Sequence, residues 1–206
     1  GSVLTYVPTL NLNGSDSIEV SVSDGLLSST STISITITPV NDAPRIDNGS
    51  FSVNEAIEAE FDILTLNPLD VENSELTFMI KSYPSKGDAS LNNNILTYKS
   101  YENEYGVDNI EVTVSDGELS TDCTINVLIN AVPKILNNFD NLRIEENSND
   151  YIVDLSDKFI DADNNLLTYS ATSNNTNLIN TTILDDKLKL SLSPNSKGET
   201  TINVSA

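Results

Sequence analysis

Two pairs of acidic residues, each with one residue between its members, stand just before predicted strands. Asp161 and Asp163 precede an apolar segment that begins at Leu166, and Asp70 and Glu72 precede one that begins at Leu76. Carboxylate oxygens are preferred ligands of hard divalent cations such as Ca2+. The spacing therefore predicts a cation site in each loop, and a solvent-exposed acidic turn is the alternative interpretation.

The composition favours cations as partners and excludes several other classes. The chain of 206 residues has 31 acidic and 10 basic residues, which gives a net charge of −21. Such a surface repels nucleic acid and anionic lipid, so we expect neither as a partner. The chain has no His and one Cys, so the commonest general base, the commonest zinc ligand and an internal disulfide are all missing. It has no apolar run long enough for membrane insertion and no visible signal peptide.

The sequence repeats at a spacing of about ninety residues. Residues 3–25 align without a gap to residues 95–117, and both segments end in Val-Ser-Asp-Gly. Residues 187–206 continue this series. Residues 53–78 align in the same way to residues 144–169. Agreement in both halves of the unit predicts tandem copies of one structural repeat of about 92 residues.

This repeat divides the chain into three parts. Residues 1–40 are the C-terminal part of a repeat, residues 41–132 are a complete repeat, and residues 133–206 are a repeat that lacks its last strand. The junctions fall at two proline-containing linkers, residues 39–44 and residues 131–134. Both are short, and proline stiffens them.

Strict alternation of apolar and polar residues predicts strands throughout the chain. It is clearest over residues 17–22, 32–37 and 109–114, and turn sequences such as Asp24-Gly25 and Asp116-Gly117 follow at the ends of such runs. About seven short strands in some ninety residues is the size of an immunoglobulin-like sandwich. The prediction is an all-β chain of tandem immunoglobulin-like, cadherin-like β-sandwich repeats.

Three short motifs give the sequence a family resemblance. The segments Val22-Ser23-Asp24-Gly25, Pro39-Val40-Asn41-Asp42-Ala43-Pro44 and Asp161-Ala162-Asp163 resemble those of bacterial cadherin-like repeats, and Glu55 and Glu146 resemble an early Glu of the same family. The similarity covers essentially the whole chain. It implies sandwiches joined end to end, with Ca2+ held at the junctions by oxygen atoms of one repeat, of the linker and of the next repeat.

The resemblance implies a set of Ca2+ ligands at each junction. At the first junction they are Asp70, Glu72 and Asp116 of the lower repeat, Asn41 and Asp42 of the linker, and Asn11, Asn13 or Asp16 of the upper repeat. At the second junction they are Asp161, Asp163 and Asn165 of the lower repeat, with Glu55, Glu102 and Glu104 of the upper repeat.

Two observations complicate these ligand sets. The second linker departs from the family pattern because it has no Asn-Asp pair and carries Lys134, whose positive charge disfavours a metal. Asp16 and Asp108 each precede a predicted strand, where an Asp often accepts hydrogen bonds from nearby backbone amides. A role in a turn is therefore the alternative interpretation for both.

The resemblance implies a non-catalytic stalk or adhesion segment, secreted or on a cell surface and stiffened by Ca2+. The expected partners are neighbouring repeats of the same protein, surface glycans and other copies of the adhesin. An enzyme is disfavoured, because the acidic pairs recur at one phase of the repeat and do not converge on one active site.

Two alternatives stay open. The first is a carbohydrate-binding accessory module of a secreted polysaccharide-degrading enzyme, for which Tyr101 and Tyr105 are the candidate exposed pair and the absence of Trp is unfavourable. The second is strand exchange, in which the incomplete third repeat accepts a strand from another chain. Trimming of a longer protein explains the same incomplete repeat.

Overall fold

The computed structural model describes residues 3–72 and 75–206. These residues form sixteen strands and one short 3-10 helix, Ile63–Leu66. The strands are β1 (Gly14–Ser23), β2 (Ser28–Ile37), β3 (Gly49–Asn54), β4 (Glu58–Asp62), β5 (Thr77–Ser82), β6 (Gly87–Asn92), β7 (Ile95–Ser100), β8 (Gly106–Ser115), β9 (Ser120–Asn130), β10 (Lys134–Ile135), β11 (Tyr151–Asp154), β12 (Phe159–Ile160), β13 (Ser170–Ser173), β14 (Ile179–Leu184), β15 (Lys187–Leu192) and β16 (Ile202–Ser205). No helix in this part of the chain has the length and apolar character needed to span a membrane.

Strands β3 to β9 form a two-sheet sandwich, which we call the middle domain. One sheet has the order β3-β9-β8-β5 and the other the order β4-β7-β6. Strand β3 runs parallel to β9, while the other pairs are antiparallel. Along β8 the buried residues alternate with exposed or half-buried ones, as the sequence pattern predicts. The prediction of an all-β, immunoglobulin-like fold is confirmed.

The core of the middle domain lies between its two sheets. Each sheet contributes fully buried side chains, such as Leu96 and Tyr98 from β7 and Ile110 and Ile125 from β8 and β9. Burying one such side chain contributes roughly 1.5–3 kcal/mol relative to leaving it in water. The rigid scaffold that results fixes the positions of the loops at both ends of the sandwich.

The hairpin of β1 and β2 has the same register as the hairpin of β8 and β9. Gly14 pairs with Ile37 in the first and Gly106 with Ile129 in the second, and each hairpin continues for ten residue pairs to its turn. The faces of β1 and β2 are largely exposed, whereas β8 and β9 bury one face in the middle domain. The two predicted turns at Asp24-Gly25 and Asp116-Gly117 are both confirmed.

Residues 134–206, called here the C-terminal segment, form three smaller sheets with the orders β10-β12, β11-β15-β14 and β13-β16. Leu155, Leu188 and Leu190 are its buried core. Among the described strands β16 pairs with β13 alone. The acceptance of a strand from another chain stays a prediction.

Candidate metal sites at the two linkers

The first linker, residues 39–44, lies against two acidic loops of the middle domain. The side-chain amide of Asn41 donates a hydrogen bond to Asp116 Oδ2 at 2.8 Å, and the backbone amide of Asp42 donates one to Glu72 Oε2 at 3.2 Å. Asp70, two residues before Glu72, is buried, with 6% of its surface exposed. These five residues, which we call the first linker site, are all predicted ligands, and two hydrogen bonds join the linker to the loops that carry Glu72 and Asp116.

The turn between β8 and β9 orients the carboxylate of Asp116. Its Oδ1 accepts hydrogen bonds from the backbone amides of Leu119 and Glu118, both at 2.7 Å, while Gly117 takes a positive φ of 101° that suits the tight turn. The Leu119 and Glu118 amides, followed by the Asn41 side chain, hold the pKa of Asp116 below its usual value. Asp116 therefore presents Oδ2 of an ionised carboxylate to the linker.

Asp16, a predicted ligand from the upper repeat, has other partners. Its Oδ2 accepts a hydrogen bond from the Tyr6 hydroxyl at 2.9 Å and its Oδ1 accepts one from the Ser17 amide at 2.8 Å. Asn13 is exposed, and no hydrogen bond among the described residues joins Asn13 or Asp16 to the first linker. The geometry favours the alternative interpretation of Asp16 as a turn residue, and its role as a ligand stays a prediction.

Tyr98 and Asp108 of the middle domain form a pair equivalent to Tyr6 and Asp16, and this pair is buried. The Tyr98 hydroxyl donates to Asp108 Oδ2 at 3.0 Å, and the backbone amides of Ser85, Lys86 and Asn109 donate to the same carboxylate at 2.8–3.0 Å. Burial opposes ionisation of Asp108, but these amide donors outweigh burial, so its pKa lies below the usual value. Burial first, and then the bond to Asp108, raises the pKa of Tyr98. The pair is a structural anchor for the loop before β6.

At the second linker, residues 131–134, carboxylates hold the backbone directly. Glu55 Oε2 accepts a hydrogen bond from the Val132 amide at 3.0 Å, and Glu55 Oε1 accepts one from the Asn103 amide at 2.6 Å. From the C-terminal segment, Asp163 Oδ2 accepts a hydrogen bond from the Ala131 amide at 2.6 Å. Two consecutive amides of the linker are thus held by acidic side chains from its two sides.

The remaining residues of the second junction complete this arrangement. Lys134 Nζ donates to the side-chain oxygen of Asn103 at 2.6 Å. Asp161 is buried, and its Oδ1 accepts hydrogen bonds from the Asp163 amide at 3.0 Å and the Asn165 amide at 3.1 Å. Glu104 is half-buried. Sequence reasoning missed Asn103, whose only signal was its place in the loop beside Glu104.

The pKa of Glu55 reports how firmly its carboxylate is held. The Val132 amide, followed by the Asn103 amide, lowers this pKa, burial opposes the shift, and the positive charge of Lys134 adds to it. Glu55 is therefore ionised although only 8% of its surface is exposed. Its negative charge is balanced by N–H dipoles and by a lysine of the same chain.

The two linkers differ in how well they suit a metal ion. Within residues 3–72 and 75–206, no three Asp, Glu or Cys side chains lie close enough together to hold one. The first linker site has the donor chemistry that Ca2+ prefers, since it combines four carboxylates and one amide oxygen from three segments, although side chains must rotate to share an ion. At the second linker, Glu55, Asp161 and Asp163 already accept hydrogen bonds from backbone amides, and their role as metal ligands stays a prediction.

Comparison with known families agrees with the fold of the middle domain. Residues 41–130 match the family model of the bacterial Ig domain. This part of the chain is an Ig-like domain. No curated protein matches the sequence.

Several solved structures resemble the whole chain at low similarity. Extracellular cadherin domains 1–4 of protocadherin gamma B7 align with a TM-score of 0.48 and 17% identity over 96% of this chain and 55% of that one. The human desmocollin-1 ectodomain aligns with a TM-score of 0.40 and 14% identity over 94% and 42%. An endo-fucoidan hydrolase of glycoside hydrolase family 107 aligns with a TM-score of 0.38 and 15% identity over 96% and 34%. The chain thus spans 34% to 55% of the length of these structures.

Proposed function

We propose that the chain is a non-catalytic segment of an extracellular stalk or adhesin, built from Ig-like repeats whose linkers are held rather than free. The observation that carries this proposal is the bonding of both linkers to acidic side chains: Asp116 and Glu72 at the first, Glu55 and Asp163 at the second. A flexible tether needs no such contacts, whereas a spacer that keeps its length does.

The location follows from the class of domain. The match to a bacterial Ig domain supports a secreted or surface protein. The proposed partners are neighbouring repeats of the same protein, surface glycans and other copies of the adhesin.

Calcium belongs to the proposal at the first linker site. Asn41, Asp42, Asp70, Glu72 and Asp116 would hold the ion, and Asn13 or Asp16 of the preceding repeat would complete the shell. The ion supplies positive charge that offsets the mutual repulsion of the carboxylates. Without it, Asn41 and the Asp42 amide are the groups that bind Asp116 and Glu72.

The direct test is a calorimetric titration of the 206-residue chain with Ca2+ after removal of metal by a chelator. The proposal predicts saturable binding that is lost when Asp42, Glu72 and Asp116 are replaced together by Asn, Gln and Asn. Absence of binding to the unmodified chain at millimolar Ca2+ would contradict it.

A carbohydrate-binding module is the second candidate, and one observation favours it. Tyr83, Tyr101 and Tyr105 are exposed by 67%, 48% and 47%, and the Tyr101 hydroxyl is fixed by a 2.9 Å hydrogen bond to Asp88 Oδ1. A tyrosine held in this way presents a ring on which a neutral sugar can stack. Screening immobilised neutral glycans with the chain and with Tyr101→Ala tests this candidate, which requires binding that the substitution removes.

A further inference from the structure

The two linkers carry opposite charge at the same structural position. Asp42 follows Ile37 by five residues, and Lys134 follows Ile129 by five residues. Ile37 and Ile129 occupy equivalent places, since each closes the register of the hairpin that precedes its linker. A carboxylate in the first linker is therefore replaced by an ammonium group in the second.

The ammonium group is connected to the buried carboxylate of the upper domain. Lys134 Nζ donates to Asn103 Oδ1 at 2.6 Å, and the backbone amide of the same Asn103 donates to Glu55 Oε1 at 2.6 Å. Asn103 has a positive φ of 65°, a conformation that Asn tolerates better than most residues. Asn103 thus links the cation of the linker to Glu55.

The C-terminal segment holds the linker from the other side. Asp163 Oδ2 accepts the Ala131 amide at 2.6 Å, and the Asn165 side chain donates to Asn130 Oδ1 at 2.8 Å. The Glu55 amide in turn donates to the Asn130 carbonyl oxygen at 2.8 Å. Residues 130–134 are therefore bonded to both neighbours through the chain's own groups.

We propose that the second linker is a clamp that needs no metal ion. Lys134 supplies the positive charge and the linker amides supply the hydrogen-bond donors, and together they take the place of a bound cation beside the carboxylates. Ca2+ requires six to eight oxygen ligands, and a lysine beside the same carboxylate opposes a second positive charge. This inference goes beyond the proposed function and does not depend on Ca2+ binding at the first linker.

The clamp is tested by measuring distances across the second linker alone. Cys123, which is buried, is first replaced by Ser, and spin labels are placed on cysteines introduced at the exposed positions Ser90 and Thr182. Double electron–electron resonance on this full chain gives the distribution of distances between β6 and β14. The clamp predicts one narrow distribution that is the same in chelator and in millimolar Ca2+.

Substitutions separate the clamp from a metal site. Glu55→Ala, Asp163→Ala and Lys134→Ala should each lose the narrow distribution, while Lys197→Ala, at an exposed lysine of the C-terminal segment, should keep it. Lys134 is exposed, so its replacement leaves the domain cores intact and keeps the test valid if Glu55→Ala unfolds. Pro133→Asn with Lys134→Asp introduces into the second linker the Asn-Asp pair of the first linker. This variant should have a narrow distance distribution only with Ca2+.

Two results would overturn the clamp. One is a distribution in the unmodified linker that is broad in chelator and narrows with Ca2+, which would show a metal site. The other is a distribution that is broad in both conditions, which would show a free tether. Neither bears on Ca2+ binding at the first linker, because both labels lie beyond that linker.

Discussion

The Tyr98 hydroxyl donates a 3.0 Å hydrogen bond to Asp108 Oδ2, and this bond joins β7 to β8. Both residues are buried, with 0% of Tyr98 and 3% of Asp108 exposed. A buried carboxylate is stable only when donors surround it. The Tyr98 hydroxyl, together with three backbone amides, therefore stabilises the buried carboxylate of Asp108.

Replacing Tyr98 by Phe should destabilise the middle domain by about 1–3 kcal/mol, because Asp108 loses a donor that water cannot replace. Chemical denaturation of the full chain measures the change. Tyr6→Phe is the matched control, since its partner Asp16 is exposed and water can take the place of the hydroxyl. Equal losses in the two variants would contradict the assignment of Tyr98 as a buried anchor.

The ionised state of Asp108 predicts how stability changes with pH. Its pKa in the folded protein lies below the usual value of about 3.9, so the folded state favours the charged form. The stabilisation is complete above that usual value and is lost as the pH falls through the lower, folded pKa. Denaturation curves from pH 6 to pH 2 should show a steeper loss in the unmodified chain than in Asp108→Asn.

The single Cys123 should report the opening of the middle domain. Its side chain is 3% exposed, and burial, followed by the charge of Asp122, raises the pKa of its thiol. A thiol that is buried and protonated reacts slowly with thiol reagents. Labelling at neutral pH should therefore follow the denaturation curve, and rapid labelling of the folded chain would contradict the core described here.

The turns at Asp24 and Asp116 form a matched pair for testing the first linker site. Asp24 Oδ1 accepts the Leu26 and Leu27 amides just as Asp116 Oδ1 accepts the Glu118 and Leu119 amides. In the described part of the chain, Asp116 alone of the two bonds to a linker. Asp116→Asn should weaken Ca2+ binding in a calorimetric titration, and Asp24→Asn should leave it unchanged.

Local features of the fold were predictable because they depend on neighbouring residues. Strands over residues 17–22, 32–37 and 109–114 follow from alternation, and the turns at Asp24-Gly25 and Asp116-Gly117 follow from their Asp-Gly sequences. The hairpin of β1 and β2 and the hairpin of β8 and β9 have equal registers, and the tandem repeats themselves stay a prediction. These outcomes needed no knowledge of distant contacts.

The partners of the acidic side chains were not predictable in the same way. Glu55 bonds to the amide of Val132, which is 77 residues away, and Asp163 bonds to the amide of Ala131, 32 residues away. Every residue except proline has a backbone amide. The sequence therefore does not distinguish a carboxylate that accepts a hydrogen bond from an amide from one that binds a metal ion. The one visible sign was Lys134, whose charge suggested that the second junction differs.

The thermal unfolding of the middle domain with and without Ca2+ tests the central claim most directly. A ligand at 100 times its dissociation constant adds about 2.7 kcal/mol, which corresponds to a rise in Tm of roughly 10–20 °C for a domain of this size. The account predicts this rise for the unmodified chain and for Asp24→Asn, and a smaller rise for Asp116→Asn. An unchanged Tm of the unmodified chain in chelator and in millimolar Ca2+ would contradict it.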